Sequence, residues 1–180
     1  TVTLYEDSDA TAYPTGELTI DCSSGEVYSG NVTLGKNASF KIILPADGEY
    51  NGTVKQNGNS YIKKTESTDD AGNKVVTFEQ ITDVKDYEVS LIRNGSYTVY
   101  SFNDALEVAV PGDTIKVLDL IDTLVVSDSI NTTKAISTFA TGNEIIIDLN
   151  GKTLSVSDPS IPAFINGETY IIKNGTIIGD

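Results

Sequence analysis

Along the first 95 residues, apolar and polar side chains tend to alternate in short runs: Val2 to Glu6, Glu17 to Cys22, Gly25 to Leu34, Ser39 to Leu44, Glu49 to Gln56, Ser60 to Thr65, Lys74 to Glu79 and Tyr87 to Ile92. A period of two, rich in β-branched residues, marks strands that cover a core on one face and meet water on the other. The last run shows it most sharply, with Tyr87, Val89 and Leu91 predicted inward and Glu88, Ser90 and Ile92 outward. Turn chemistry separates the runs. Asn51-Gly52 and Asn57-Gly58 predict tight turns with positive φ, and Ser67 to Asn73 predicts a polar hairpin loop. Short strands at this spacing predict a β-sandwich.

After Arg93-Asn-Gly-Ser96 the pattern changes. Tyr97 to Tyr100 follows the turn signal, and Ser101 to Ala109 is the one convincing helix. Ser101 can cap it, Asp104 stands at the third helical position, and Phe102, Leu106 and Ala109 share a face. Pro111-Gly112-Asp113 ends it sharply. Strands are predicted from Thr114 to Leu120 and from Thr123 to Ser127, with an ambiguous stretch through Thr141. Then Ile145-Ile-Ile-Asp-Leu-Asn-Gly-Lys-Thr-Leu154 is answered further along by Tyr170-Ile-Ile-Lys-Asn-Gly-Thr-Ile-Ile178, Asn150-Gly151 falling on Asn174-Gly175. Such a unit cannot bury its apolar face until a neighbour stacks on it, so the repeat predicts successive turns of a β-solenoid.

Glycine at 15 copies against five prolines, and abundant Val, Ile and Thr, agree with an all-β chain of two domains, 1–95 and 96–180. The formal charge of −14 repels phosphate polyanions and anionic lipid, which excludes nucleic acid and membrane surfaces as expected partners. No apolar run approaches the length of a membrane span. The single cysteine, Cys22, lies in a strand-like run, can form no intrachain disulfide, and is read as a buried structural thiol.

Residues 97–180, and above all Tyr100-Ser-Phe-Asn-Asp-Ala-Leu-Glu-Val-Ala-Val-Pro-Gly-Asp-Thr-Ile-Lys-Val-Leu118 followed by Ile145 to Leu154, resemble the opening of right-handed parallel β-helix proteins of the pectate-lyase-like superfamily. The resemblance implies that the short helix caps the solenoid, that Pro111-Gly-Asp-Thr114 feeds the first rung, and that Asp148-Leu-Asn-Gly-Lys-Thr-Leu154 forms the corner of an early rung. Openings of this type often follow immunoglobulin-like modules in large surface proteins and also occur in phage fibres. The resemblance points to a fold and to no particular activity. The last rung is expected to need a cover, supplied by further chain or by another subunit.

Candidate chemistry is thin. With no histidine, Ser-His-Asp and Cys-His arrangements are excluded. Asp148 is read as a corner residue that bonds neighbouring backbone, and Lys173 stands where a second carboxylate would be needed. Asp69, Asp70 and Asn73 offer oxygen atoms in one loop, too few and wrongly spaced for calcium, so no metal, cofactor or catalytic residue is assigned. Tyr50 and Tyr61 are read as cross-strand packing, with sugar stacking as the alternative. Six N-x-[ST] tripeptides, at Asn31, Asn37, Asn51, Asn94, Asn131 and Asn174, are candidate glycosylation sites.

The expectation is therefore an immunoglobulin-like β-sandwich followed by a helix-capped start of a right-handed parallel β-helix. The expected role is a non-catalytic building block of an extracellular surface assembly, forming homo-oligomers or meeting neighbouring subunits through strand edges, with Val2 to Glu6 a candidate for exchange. Alternatives are a virion decoration or fibre protein and a carbohydrate-binding or carbohydrate-active protein, for which a glycan would be the partner.

Overall fold

The computed structural model describes residues 16–36, 38–126, 135–136, 144–156 and 169–179. In chain order these form β1 (Glu17–Asp21), β2 (Val32–Leu34), β3 (Ser39–Leu44), β4 (Val54–Gln56), β5 (Tyr61–Thr68), β6 (Lys74–Ile81), β7 (Val89–Arg93), β8 (Ser96–Tyr100), α1 (Phe102–Val108), β9 (Thr114–Val117), β10 (Thr123–Val126), β11 (Ala135–Ile136), β12 (Glu144–Asp148), β13 (Thr153–Val156), β14 (Thr169–Lys173) and β15 (Thr176–Gly179). The chain is predominantly β with mixed sheets, as the alternation predicts. The segment Val2 to Glu6 lies outside the described residues.

Two compact units divide the chain, one taking residues up to Asp83 with Asn94–Thr98, the other Val84–Arg93 and the residues from Val99 onward. The boundary at 95/96 read from the sequence lies between β7 and β8.

In the first unit β1 pairs parallel with β3, β3 antiparallel with β6, and β6 antiparallel with β5, while β5 meets β8 in parallel at Ile62 and Thr98. A separate parallel pair joins β2 to β4. Alternation in β3 sends Phe40, Ile42 and Leu44 into a core with Cys22, Val32, Leu34, Val54, Ile62, Val76 and Phe78. Taking these side chains out of water stabilises the unit by roughly 1.5–3 kcal/mol for each large one. Tyr28 and Tyr50 stack on each other at 6.2 Å, and both meet Phe40 edge-on.

The two longest predicted strands shorten here. Gly25 to Asn31 and Glu49 to Thr53 are irregular, and between them the Gly30 carbonyl accepts the Tyr50 hydroxyl at 2.6 Å. Gly52 is not the positive-φ turn residue predicted for Asn51-Gly52; a Cβ there would strike the Gly30 carbonyl and the Tyr50 ring. At Asn57-Gly58 the expectation holds, with Gly58 at φ 66°.

In the second unit Ser101 caps α1, its hydroxyl accepting from the Asp104 amide at 3.2 Å. Phe102, Ala105, Leu106 and Ala109 are buried. Strand β7 runs antiparallel to β9, which pairs parallel with β12, which pairs parallel with β14. A second parallel set stacks β10, β13 and β15. Their inward residues, including Ile115, Leu124, Ile145, Ile147 and Leu154, join the helix face in one cluster. Short β11 lies against β14 at Thr169 and Tyr170. In β7, Val89 and Leu91 are buried as predicted, but Ser90, expected to face water, is 2% exposed. Its hydroxyl has no hydrogen-bond partner among the described residues, and the alternation alone could not foresee that both faces of β7 are covered.

Candidate functional site

The feature that organises chemistry in the second unit is the corner between the two parallel sets. Paired strand residues fix the three layers: Lys116 with Asp148 and Lys173 before the corner, and Thr123 with Thr153 and Thr176 after it. The intervening corners are residues 117–122, 149–152 and 174–175, so each layer turns in two fewer residues than the one before. The repeat read from Asn150 and Asn174 is therefore one longer along β12 and β14, where Ile145 faces Tyr170, and one shorter along β13 and β15, where Thr153 faces Thr176.

Asn150 and Asn174 both adopt left-handed backbone, φ 52° and 57°, which asparagine tolerates better than other non-glycine residues. Each side-chain amide reaches back to an acid of the preceding layer. Asn150 Nδ2 donates to Asp119 Oδ1 at 2.8 Å and to the Val117 carbonyl at 3.1 Å. Asn174 Nδ2 donates to both Asp148 oxygens, at 3.1 and 3.2 Å. Asp148 also accepts the Asn150 backbone N–H at 2.9 Å, as expected of a corner residue, and Lys173 approaches it at 4.0 Å. Lys152 donates to the Asp119 carbonyl at 3.0 Å.

The two glycines of the corners differ in role. Gly151 takes φ 79° with open space around it, whereas Gly175 lies so near the layer beneath that a Cβ would strike Leu149 and the Lys152 carbonyl. The corner thus binds layer to layer through amide–carboxylate hydrogen bonds.

A second fixed point lies where α1 enters β9. Asp113, buried, accepts from Arg93 Nε at 2.9 Å, from Arg93 Nη2 at 2.5 Å and from the Val110 amide at 2.8 Å, while Arg93 also donates to the Val108 carbonyl at 2.8 Å. The carboxylate raises the guanidinium further above its ordinary range. The arrangement ties β7, the helix end and the first layer together. The sequence offers Pro-Gly-Asp as a signal for the turn but nothing that pairs its acid with Arg93.

The sequence-predicted positions scatter. Asn31, Asn51, Asn94 and Asn174 are exposed, while Asn37 and Asn131 lie outside the described residues. Asn31 Oδ1 accepts the Thr53 amide at 3.0 Å, which sets the two tripeptides beginning at Asn31 and Asn51 side by side. Asn174 alone among these four spends its amide nitrogen on an acid. In the hairpin loop Asp69 accepts from the Ala71 and Asn73 amides and from Asn73 Nδ2, so its oxygens close the turn. Tyr50 stacks on Tyr28, and desolvation pushes its phenol up. Cys22 is buried, and burial pushes its thiol up. Among the described residues no group of three or more His, Cys, Asp or Glu could hold a metal ion, and no helix is long and apolar enough to cross a membrane. Comparison with known protein families, with curated proteins and with solved structures finds no match to the chain.

Proposed function

We propose that the chain is a non-catalytic structural building block of an extracellular surface assembly. In this reading the second unit is the helix-capped start of a right-handed parallel β-helix, the first is an immunoglobulin-like spacer, and copies or neighbouring subunits meet through strand edges. The observation that carries it is the layered register of the second unit: β9, β12 and β14 on one side and β10, β13 and β15 on the other, with corner amides bonded across layers. Stacking of this kind gives a stiff rod from short units, each contacting its neighbours, and suits reach and rigidity better than turnover. The acidic exterior, at a formal charge of −14, keeps copies apart except where uncharged edges meet.

Immunogold labelling of intact producing cells, paired with size fractionation of their surface extract, tests the reading. Label at the surface and recovery in large assemblies are expected. Recovery from the cytosolic fraction as a free chain would overturn it.

A further inference from the structure

We propose that Asn94-Gly95, the turn between β7 and β8, is a site of spontaneous covalent self-modification: the Gly95 amide closes on the Asn94 side chain to a succinimide, which water opens to an aspartyl or isoaspartyl residue. The inference goes beyond the structural reading above and stands whether or not that reading holds.

Asn-Gly pairs begin at Asn51, Asn57, Asn94, Asn150, Asn166 and Asn174, of which Asn166 lies outside the described residues. A glycine after asparagine leaves the attacking amide unshielded by any side chain. Ring closure further needs a free asparagine amide, a free glycine N–H and a peptide plane between them that can turn. At Asn51 the plane is wedged, because Gly52 is packed against the Gly30 carbonyl and the Tyr50 ring. At Asn57 it is pinned, since the Asn57 carbonyl accepts the Ser60 hydroxyl at 2.8 Å and the Asn57 amide donates to Gln80 Oε1 at 2.7 Å. At Asn150 the side-chain amide is held by Asp119 and the Gly151 N–H by the Asn174 carbonyl. That same bond fixes the Asn174 plane, and Asp148 holds the Asn174 amide.

Asn94-Gly95 meets every requirement. Both residues are exposed and form a two-residue turn at φ 51° and 79°. Among the described residues no hydrogen bond holds the Asn94 side-chain amide or the peptide group that joins it to Gly95. The exposed Lys55 side chain lies over the turn, its Cε and Nζ each 3.4 Å from where a Cβ on Gly95 would stand. Its ammonium is placed to favour the negative charge that develops as the Gly95 nitrogen attacks.

The step balances without any reagent but water. The Gly95 nitrogen gives its proton to hydroxide and bonds to Asn94 Cγ. The Cγ–Nδ2 bond then breaks, and Nδ2 takes a proton from water and leaves as ammonia. Hydrolysis at the side-chain carbonyl of the ring gives the aspartyl product; hydrolysis at the main-chain carbonyl gives the isoaspartyl one, with an extra carbon in the backbone. That carbon lengthens a turn clamped by Gln56, whose Nε2 donates to the Gly95 carbonyl at 3.3 Å and whose Oε1 accepts the Tyr97 amide at 3.0 Å. The isoaspartyl form therefore loosens the clamp.

Asn94 also opens an N-x-[ST] tripeptide, and a sugar on Nδ2 would block its departure, so the test uses the full chain from a host without N-linked glycosylation. The folded chain is aged at neutral pH and mapped by peptide mass spectrometry with isoaspartyl methyltransferase labelling. Isoaspartate is expected at position 94 several-fold faster than at 51, 57, 150 or 174, and the five rates should converge in urea. Lys55→Gln is expected to slow position 94 alone several-fold, and Lys55→Arg to restore it, with an unchanged circular dichroism spectrum. Amide exchange at Tyr97 should quicken in the modified fraction. A rate at 94 no greater than at 150 or 174 would overturn the site, and a ranking that persists in urea would overturn the fold as its cause. An unaltered rate in Lys55→Gln would remove the ammonium from the step, and unaltered exchange at Tyr97 would remove the effect on the clamp.

Discussion

In the first unit the strongest ladder joins chain neighbours: β5 and β6 run antiparallel over eight registered pairs and are closed by residues 69–73. In the second, ladder partners such as Ile147 and Ile172 belong to successive layers, far apart along the chain, and run parallel. A hairpin takes its register from its turn, because a short loop leaves the strands little choice. Parallel layers have no such turn between partners and need another device to fix which residue faces which. The corner asparagines bonded to the acids of the preceding layer are that device. The cores differ correspondingly. One is built around stacked and edge-on rings of Phe40, Phe78, Tyr28 and Tyr50, the other around aliphatic columns under a helix.

The largest effects should come from emptying each core. Phe40→Ala removes the ring that meets Tyr50 at 5.5 Å and Phe78 at 5.9 Å, and is expected to cost about 3–5 kcal/mol in denaturant unfolding followed by tyrosine signals. Ile147→Ala, at the centre of an aliphatic column, is expected to cost about 2–5 kcal/mol. Phe40→Leu sharpens the contrast, since it keeps most of the volume and loses ring geometry worth about 0.5–1.5 kcal/mol. Were Phe40→Leu neutral, the aromatic network would be filler and the two cores would differ only in composition.

A smaller effect tests the corner. Asp148→Ala leaves the Asn150 N–H and the Asn174 amide without their acceptor and is expected to cost about 1–3 kcal/mol, toward the lower end because water reaches the site. Hydrogen exchange should quicken at Gly151, whose amide bonds the Asn174 carbonyl across layers, and at Leu149, which bonds Lys173. Exchange in the β5–β6 hairpin should not change. Unaltered protection at Gly151 would mean that backbone pairing alone sets the register.

Much of this was legible in the residues. Ser101, Phe102 and Leu106 predict α1 because a cap and a one-sided apolar face are local signals, and the helix forms where they place it. The paired runs Ile145 to Leu154 and Tyr170 to Ile178 predict stacked turns, and Ile145 lies beside Tyr170, Ile146 beside Ile171 and Ile147 beside Ile172. Asp119 was not legible as an acceptor, because the first corner is longer than the next and no repeat aligns it with Asp148. Nor was the partnership of Gly30 with Tyr50, a long-range hydrogen bond made ahead of β2 and β4, both of which start later than predicted. Local periodicity reports which face an element buries. It is blind to contacts whose partners are set only when the chain has closed on itself.

The smallest effect lies in the hairpin that contrasts with the corner. The Asn73 side chain first, then the Asn73 and Ala71 amides, donate to Asp69 and hold its carboxyl below the ordinary aspartate range. A folded-state pKa lower than the unfolded value of about 3.9 means that the ionised loop contributes stability above that pH and loses it as pH falls through the folded value. Carbon-detected NMR titration should therefore find Asp69 protonating below about pH 3.9, with the Ala71 and Asn73 amide signals moving in step. Asn73→Ala should return the midpoint toward the ordinary value and leave the β5–β6 register in place, since the residues of the turn still number the same. Because Asp69 is open to water, global stability should scarcely register the change. A titration at or above the ordinary value would show that these donors do not serve the carboxylate in solution. The loop would then owe its closure to the Asp69–Asn73 backbone bond and to Gly72 at φ 85°, leaving the acid no part in the turn.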